Sequence, residues 1–230
     1  MAEEERAARH GIVRVCRRLY ERGLIAGPDG NVSVRIGEGR ILVTPAGMSK
    51  VDVRAADIVE ITPLGEQLSR GRPASSEVAV HLRIYERRPD LRSVVHAHPP
   101  TATGFAVAGE DLMAPVLPEI ILQVGGVPIV PYDAPGTREL AERFDPWLAD
   151  HDAFLMANHG AVTAGRTLEA AHQRMESVEH AARILFTARL LGNVNELTRV
   201  QAAALHAARV RGAGVAPPTD TQPPAGRRSL

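Results

Sequence analysis

The chain has 230 residues, 44% hydrophobic and 23% charged, which supports one sizeable α/β core and excludes a disordered or fibrous protein. Its formal net charge is zero and no dense Lys/Arg stripe interrupts it, so neither nucleic acid nor an anionic membrane is an expected partner. The single cysteine, Cys16, excludes an internal disulfide, and no apolar run approaches the roughly 18 residues of a membrane span, so the expected location is cytoplasmic.

Ile12, Val13, Cys16, Leu19 and Tyr20 recur at helical spacing, predicting a helix from Glu3 to about Arg22 that stops at Gly23 and buries Cys16. "VSVRI" (Val32 to Ile36) and "RILVT" (Arg40 to Thr44) read as strands of a hairpin around "GEG", and "DIVEI" as a further short strand. After "SRGRPASS" the pattern predicts a helix from about Glu77 to Arg88, the strand "SVVHAH", and a helix beginning near Pro100. "VPIVPY" reads as a strand, "GTRELAERFDPWL" as a helix capped near Thr137, and "AFLMANHG" as a buried strand ending in a turn at Gly160. Helices follow from Thr167 to Leu191 and from Asn195 to about Arg211.

Residues 212–230 are rich in Pro and Gly and are expected not to pack, which leaves one domain over 1–211 and a disordered tail. Early hairpins followed by strand–helix alternation predict a three-layer α/β/α sandwich around a mixed sheet.

Four places hold residues beyond what packing needs. His96 and His98, in "RSVVHAHPP", lie two apart in a predicted strand, so both imidazoles project from one face as a natural pair of metal ligands. His159, in "MANHGAV", follows another buried strand and completes a three-nitrogen set if those strands are neighbours. Ser75, Ser76 and Glu77 stand at a helix start, where side chains cap the helix and its exposed N–H groups bind anions. His81, one turn on from Glu77, suits a core or supporting position better than ligation. "GPDGNVSV" and "TPAGMSK" each bring Gly and small polar residues to a strand end, where backbone amides can approach a phosphate. Each has a plain structural explanation when read alone: core or loop histidines, a capped helix, ordinary turns.

Their combined order, Gly-Asn, Thr-Pro-x-Gly, Ser-Ser-Glu, His-x-His and Asn-His-Gly, resembles the class II aldolase/adducin family, most closely its L-fuculose-1-phosphate aldolase branch, over about residues 5 to 200. The resemblance implies an α/β/α sandwich with a mainly antiparallel sheet, assembled as a homotetramer with active sites between subunits. It also implies a Zn²⁺ held by His96, His98 and His159 (Mn²⁺, Fe²⁺ or Co²⁺ being possible occupants) and by Glu77 until substrate displaces it. Glu77 is then the acid/base at C3. Gly30, Asn31, Ala46, Gly47, Ser75 and Ser76 become the phosphate site of a sugar-phosphate substrate, with Ala46 replacing a hydroxyl residue of many relatives.

The chain departs from that pattern at "APVLPEIILQVGG", which puts Glu119 where the fuculose-phosphate enzyme uses a tyrosine as its second acid/base. The implied reaction is reversible cleavage of a ketose 1-phosphate, of L-fuculose type or a 5-deoxy- or 5-methylthio-pentulose phosphate, to dihydroxyacetone phosphate and an aldehyde. Methylthioribulose-1-phosphate dehydratase, sugar-phosphate 4-epimerase and decarboxylase chemistry are alternatives on the same scaffold, and an adducin-like binding module is a non-enzymatic one.

Overall fold

The computed structural model describes residues 3–37 and 39–211, so the tail expected at 212–230 lies outside the described residues. Seven strands form one sheet in the order β3-β2-β1-β4-β7-β6-β5. They are β1 Asn31–Ile36, β2 Arg40–Val43, β3 Val59–Ile61, β4 Ser93–Ala97, β5 Ile129–Val130, β6 Ala153–Met156 and β7 Gly160–Gly165. Only the β5–β6 pair is parallel, so the sheet is mixed and mainly antiparallel as expected.

The helices are α1 Glu3–Glu21, α2 Val78–Arg87, α3 Pro100–Ala108, α4 Pro118–Gln123, α5 Arg138–Glu142, α6 Leu168–Leu190 and α7 Arg199–Arg211. One apolar layer joins α1, α3, α4 and α6 to the sheet through Ile12, Cys16, Phe105, Ile121 and Met175, with Val95 and Ala97 from β4. The opposite layer joins α2 and α5 through Ile84, Tyr85 and Leu140, with Val94 from β4. Alternating residues of β4 thus enter opposite cores, as the two-residue period of a strand requires, and the result is the expected three-layer sandwich. No helix among the described residues is long and apolar enough to cross a membrane.

Two elements are absent from the sequence reading, and α5 ends at Glu142 where that reading continues the helix to Leu148. "GAVTAG" is not a connection to the next helix but the strand β7, which pairs with both β4 and β6 at the centre of the sheet. Its glycines and alanines carry little strand propensity, and it forms a strand because both flanking partners supply its backbone hydrogen bonds. The segment around Glu119, to which the sequence reading assigns no element, is the short helix α4 with Pro118 in its first turn, a position that proline's fixed φ favours.

Candidate metal centre and active site

His96 lies on β4 on the face shared with Val94, which points toward α2, and it pairs with Asn31 of β1 on one side and Val162 of β7 on the other. His98 follows the end of β4, anchored by its N–H donating to Leu24 O at 3.0 Å. The β6–β7 turn, which places Asn158 at φ 57, carries His159 to the start of β7, the strand beside β4. Asn tolerates that left-handed conformation better than other side chains. The strand neighbourhood that a three-histidine set requires is therefore present.

The three rings form a propeller, with centroids 4.9, 4.9 and 5.1 Å apart and interplanar angles of 60°, 71° and 68°. One ligating atom from each lies within 4.8 Å of the others. His96 Nδ1 is 2.9 Å from Ala161 O, a contact that fixes the proton on Nδ1 and turns Nε2 toward the cluster. That Nε2 then faces His98 Nε2 at 3.2 Å and Glu77 Oε2 at 2.9 Å, while His159 Nε2 faces Glu77 Oε1 at 3.3 Å.

So many lone pairs aimed at one point are relieved together by a cation at their centre. Ligands at 2.0–2.1 Å in a tetrahedron are separated by ~3.3–3.4 Å, and the contacts here approach that spacing. Burial, with the neighbouring His96 and His159 rings, lowers His98 to about 4, so at neutral pH its ring is uncharged and has a lone pair to offer a cation. The donor set fits a divalent metal.

Glu77 stands at the N-terminal end of α2. Burial pushes its carboxyl up, but the His159 and His96 imidazoles beside it outweigh that and hold it well below the carboxylate range. Behind it a cavity of only 10 Å³, walled by Val80, His81, Leu140, Met156 and Val162, keeps this side apolar. α2 is fixed to the sheet by a buried network in which Ser33 Oγ contacts His81 Nδ1 at 2.7 Å and Tyr85 OH at 2.8 Å. His81 is thus a supporting interior residue rather than a member of the three-histidine cluster, as expected from the sequence.

On the open side of Glu77 lies a 130 Å³ pocket lined by Gly30, Asn31, Ala46, Gly47, Ser75, Ser76 and His98. The turns that line it are knit together: Ser75 N–H donates to Thr44 O at 3.2 Å, Ala46 N–H to Pro73 O at 3.0 Å, and Asn31 Nδ2 to Ser75 Oγ at 3.1 Å. Gly30, at φ 71, passes so near β4 that a Cβ there would meet His96 O at 2.6 Å. Asn31 Oδ1 is buried with no hydrogen-bond partner among the described residues. A half-turn of the amide would present its N–H₂ group to an anion instead. Ala46 has no hydroxyl, and its N–H is already taken by Pro73.

The six expected phosphate-site residues therefore line one pocket together with Glu77 and His98, while His96 and His159 reach Glu77 from the side of the smaller cavity. Glu119 does not join them within one chain; it is exposed in the first turn of α4, which packs on α6 and α7. Ile120 beside it belongs to the core.

Lys50 also lines the pocket and was missed by motif reading. Its signal was compositional, since it is the only lysine in a chain of 27 basic residues and stands three positions beyond the Thr-Pro-Ala-Gly turn.

The architecture and the convergent His₃–carboxylate cluster are those of an α/β/α scaffold whose donor set could hold a metal ion. Residues 10–186 match the model of the class II aldolase and adducin N-terminal domain, and the chain belongs to that family. It is 33% identical to a 3-oxo-tetronate 4-phosphate decarboxylase of Escherichia coli O6:H1 over 80% of this chain and 89% of that protein. It is 38% identical to a 5-methylthioribulose-1-phosphate/5-deoxyribulose-1-phosphate aldolase of Rhodospirillum rubrum over 76% of this chain and 79% of that one. An L-fuculose 1-phosphate aldolase structure superposes with a TM-score of 0.82 at 28% identity, covering 87% of this chain and 95% of that one.

Proposed function

We propose that the protein is a zinc-dependent class II aldolase of the cytoplasm that cleaves a ketose 1-phosphate, of the 5-deoxy- or 5-methylthio-pentulose or L-fuculose type, to dihydroxyacetone phosphate and an aldehyde. The observation that carries this reading is Glu77, held between His96 and His159 at the edge of a polar pocket of phosphate size. A divalent ion held by His96, His98 and His159 would supply Lewis acidity toward the ketose carbonyl, the charge stabilisation that breaking an adjacent carbon–carbon bond requires.

The chain's own residues divide the remaining work. The turns at 30–31, 46–47 and 75–76 hold the phosphate. Cleavage removes the C4 hydroxyl proton, breaks C3–C4 and leaves an electron pair that must be protonated at C3. Glu77 moves the C3 proton. Glu119 takes the C4 hydroxyl proton, and because it is remote from Glu77 within one chain it acts from a neighbouring subunit of a homotetramer.

A second reading, decarboxylation of a 3-oxo sugar-acid phosphate, is supported by the decarboxylase relative at 33% identity. Both reactions break a bond next to a carbonyl and protonate the resulting carbon. They differ in that loss of carbon dioxide removes no hydroxyl proton, so Glu119 has no task in it. Dehydration and 4-epimerisation have no comparable observation in their favour, and a binding module has no use for three convergent imidazoles and an ionised glutamate.

The test is end-point mass spectrometry of zinc-loaded protein with 5-deoxyribulose 1-phosphate, 5-methylthioribulose 1-phosphate, L-fuculose 1-phosphate and 3-oxo-tetronate 4-phosphate. Dihydroxyacetone phosphate from any ketose supports the aldolase. Carbon dioxide from the oxo acid alone replaces it with the decarboxylase, and a product lighter by one water sinks both.

A further inference from the structure

We propose that Lys50 is the fixed cation of the anion pocket and sets the preference for a phosphorylated substrate. The inference rests on the reading of the 30–31, 46–47 and 75–76 turns as a phosphate site. Lys50 is 2% exposed, yet its side chain reaches the wall shared by Gly30, Asn31, Ala46, Gly47, Ser75 and Ser76. Nζ donates to Pro28 O at 2.7 Å and to Met48 O at 3.0 Å. One carbonyl precedes the Gly-Asn turn and the other follows the Thr-Pro-x-Gly turn, so the ammonium clips the two loops together. Two of its three N–H bonds are spent there and one remains.

Neutral carbonyls do not compensate a buried charge as a carboxylate would, and among the described residues no carboxylate lies within ion-pair distance of Lys50. Burial accordingly lowers its pKa, with Cys16, Asp29 and Glu77 opposing that only through their more distant charges. A cation kept in such a place is relieved when an anion enters the pocket.

The choice of side chain agrees. Arginine serves every other cationic position in the chain, and its planar five-donor fork suits two-pronged carboxylate pairs such as Arg88 with Asp90. A compact ammonium on a flexible stem fits a pocket already crowded by two carbonyls. Lys50 also offers the anion a charge where Ala46 offers neither a hydroxyl nor a free N–H.

The experiment is calorimetric titration of inorganic phosphate into the zinc-loaded full chain, comparing wild type with Lys50→Gln and Lys50→Met, with zinc content and melting temperature measured alongside. Lys50→Gln keeps an N–H donor for the loop carbonyls without the charge. Both variants are expected to bind phosphate at least tenfold more weakly, with Lys50→Gln keeping its zinc and its melting temperature. Wild-type affinity in a folded Lys50→Gln protein would overturn the proposal. So would phosphate binding lost only in step with zinc and melting temperature in both variants, which would make Lys50 a loop clip. A wild-type protein that takes no phosphate would instead overturn the phosphate-site reading beneath it.

Discussion

A Cβ placed on Gly160 would lie 2.6 Å from Cδ2 of His98 and 2.6 Å from Ala97 O. The residue after one histidine of the cluster is thus the surface against which another rests, and Gly30 closes on His96 O from the opposite strand at the same distance. Glycine here sets how near the strands come, and so where three imidazoles meet. Gly160→Ala is expected to push β7 from β4 and rotate His98, costing about 1–3 kcal/mol of stability. Zinc affinity should fall about 10–100-fold, as when supports of metal ligands are removed. Gly104→Ala, with open space around its Cβ, is the control. Competition with a chelator and a melting curve read both quantities; wild-type zinc affinity in Gly160→Ala would contradict the packing argument.

The metal and the carboxylate should separate by mutation. His96→Ala removes a nitrogen from the centre of the propeller and should lose zinc and turnover together. Glu77→Gln leaves all three imidazoles and should keep its zinc, while turnover falls by about 10²–10⁴, the usual contribution of a general acid/base. Metal analysis alongside kcat checks both. Turnover surviving in chelator-stripped wild type would remove the ion from the mechanism, and an active Glu77→Gln would remove the carboxylate.

Glu119 sits in α4, apart from the cluster in its own chain, so the inter-subunit reading has a direct test. Glu119→Gln should retain zinc and lose cleavage. Glu77→Gln should be equally inactive. Mixing the two dead proteins under conditions that exchange subunits should restore part of the activity, because some mixed interfaces then carry an intact Glu77 opposite an intact Glu119. If mixing restores nothing although exchange is shown by mass, the two residues do not serve one site across an interface. Full activity of Glu119→Gln alone would fit decarboxylation and not aldol cleavage.

Much of the site was legible because its residues are set by local geometry. The His-x-His pair needs only a strand, and Ser-Ser-Glu needs only a helix start, so both could be read from neighbours in sequence. β7 could not, because "GAVTAG" has no apolar alternation and becomes a strand only between β4 and β6. Without β7 the adjacency of His159 to His96 stayed conditional. The helical form of α4 was hidden for a similar reason, since "PEIILQ" reads equally as a buried strand and its helix is settled by packing on α6 and α7. Lys50 has no motif at all; its importance follows from a burial that only the folded loops impose.

Stability in mild acid should report on His81. It is fully buried, and desolvation lowers its pKa from an ordinary 6.5 to about 3, with only Glu77 pulling the other way. The ring is neutral when folded at any pH above that value, whereas in the unfolded chain it takes up a proton below its ordinary pKa. The unfolded state therefore binds more protons across this window, so stability is intact above pH 6.5 and declines as pH falls toward 3. The slope from one such group is about 1.4 kcal/mol per pH unit. Replacing His81 also breaks its contact with Ser33 and so lowers stability at every pH, but only the pH-dependent share should vanish with the ring, which makes the difference between two pH values the quantity to compare. Between pH 6.5 and 5.5, wild type should lose roughly 1 kcal/mol more than His81→Gln, equivalent to about 2–4 °C in melting temperature for a chain of this size. Melting curves at matched zinc and salt measure the difference. Parallel pH profiles for the two proteins would mean that His81 is protonated in the folded state, and the Ser33–His81–Tyr85 network would then have to carry a buried charge.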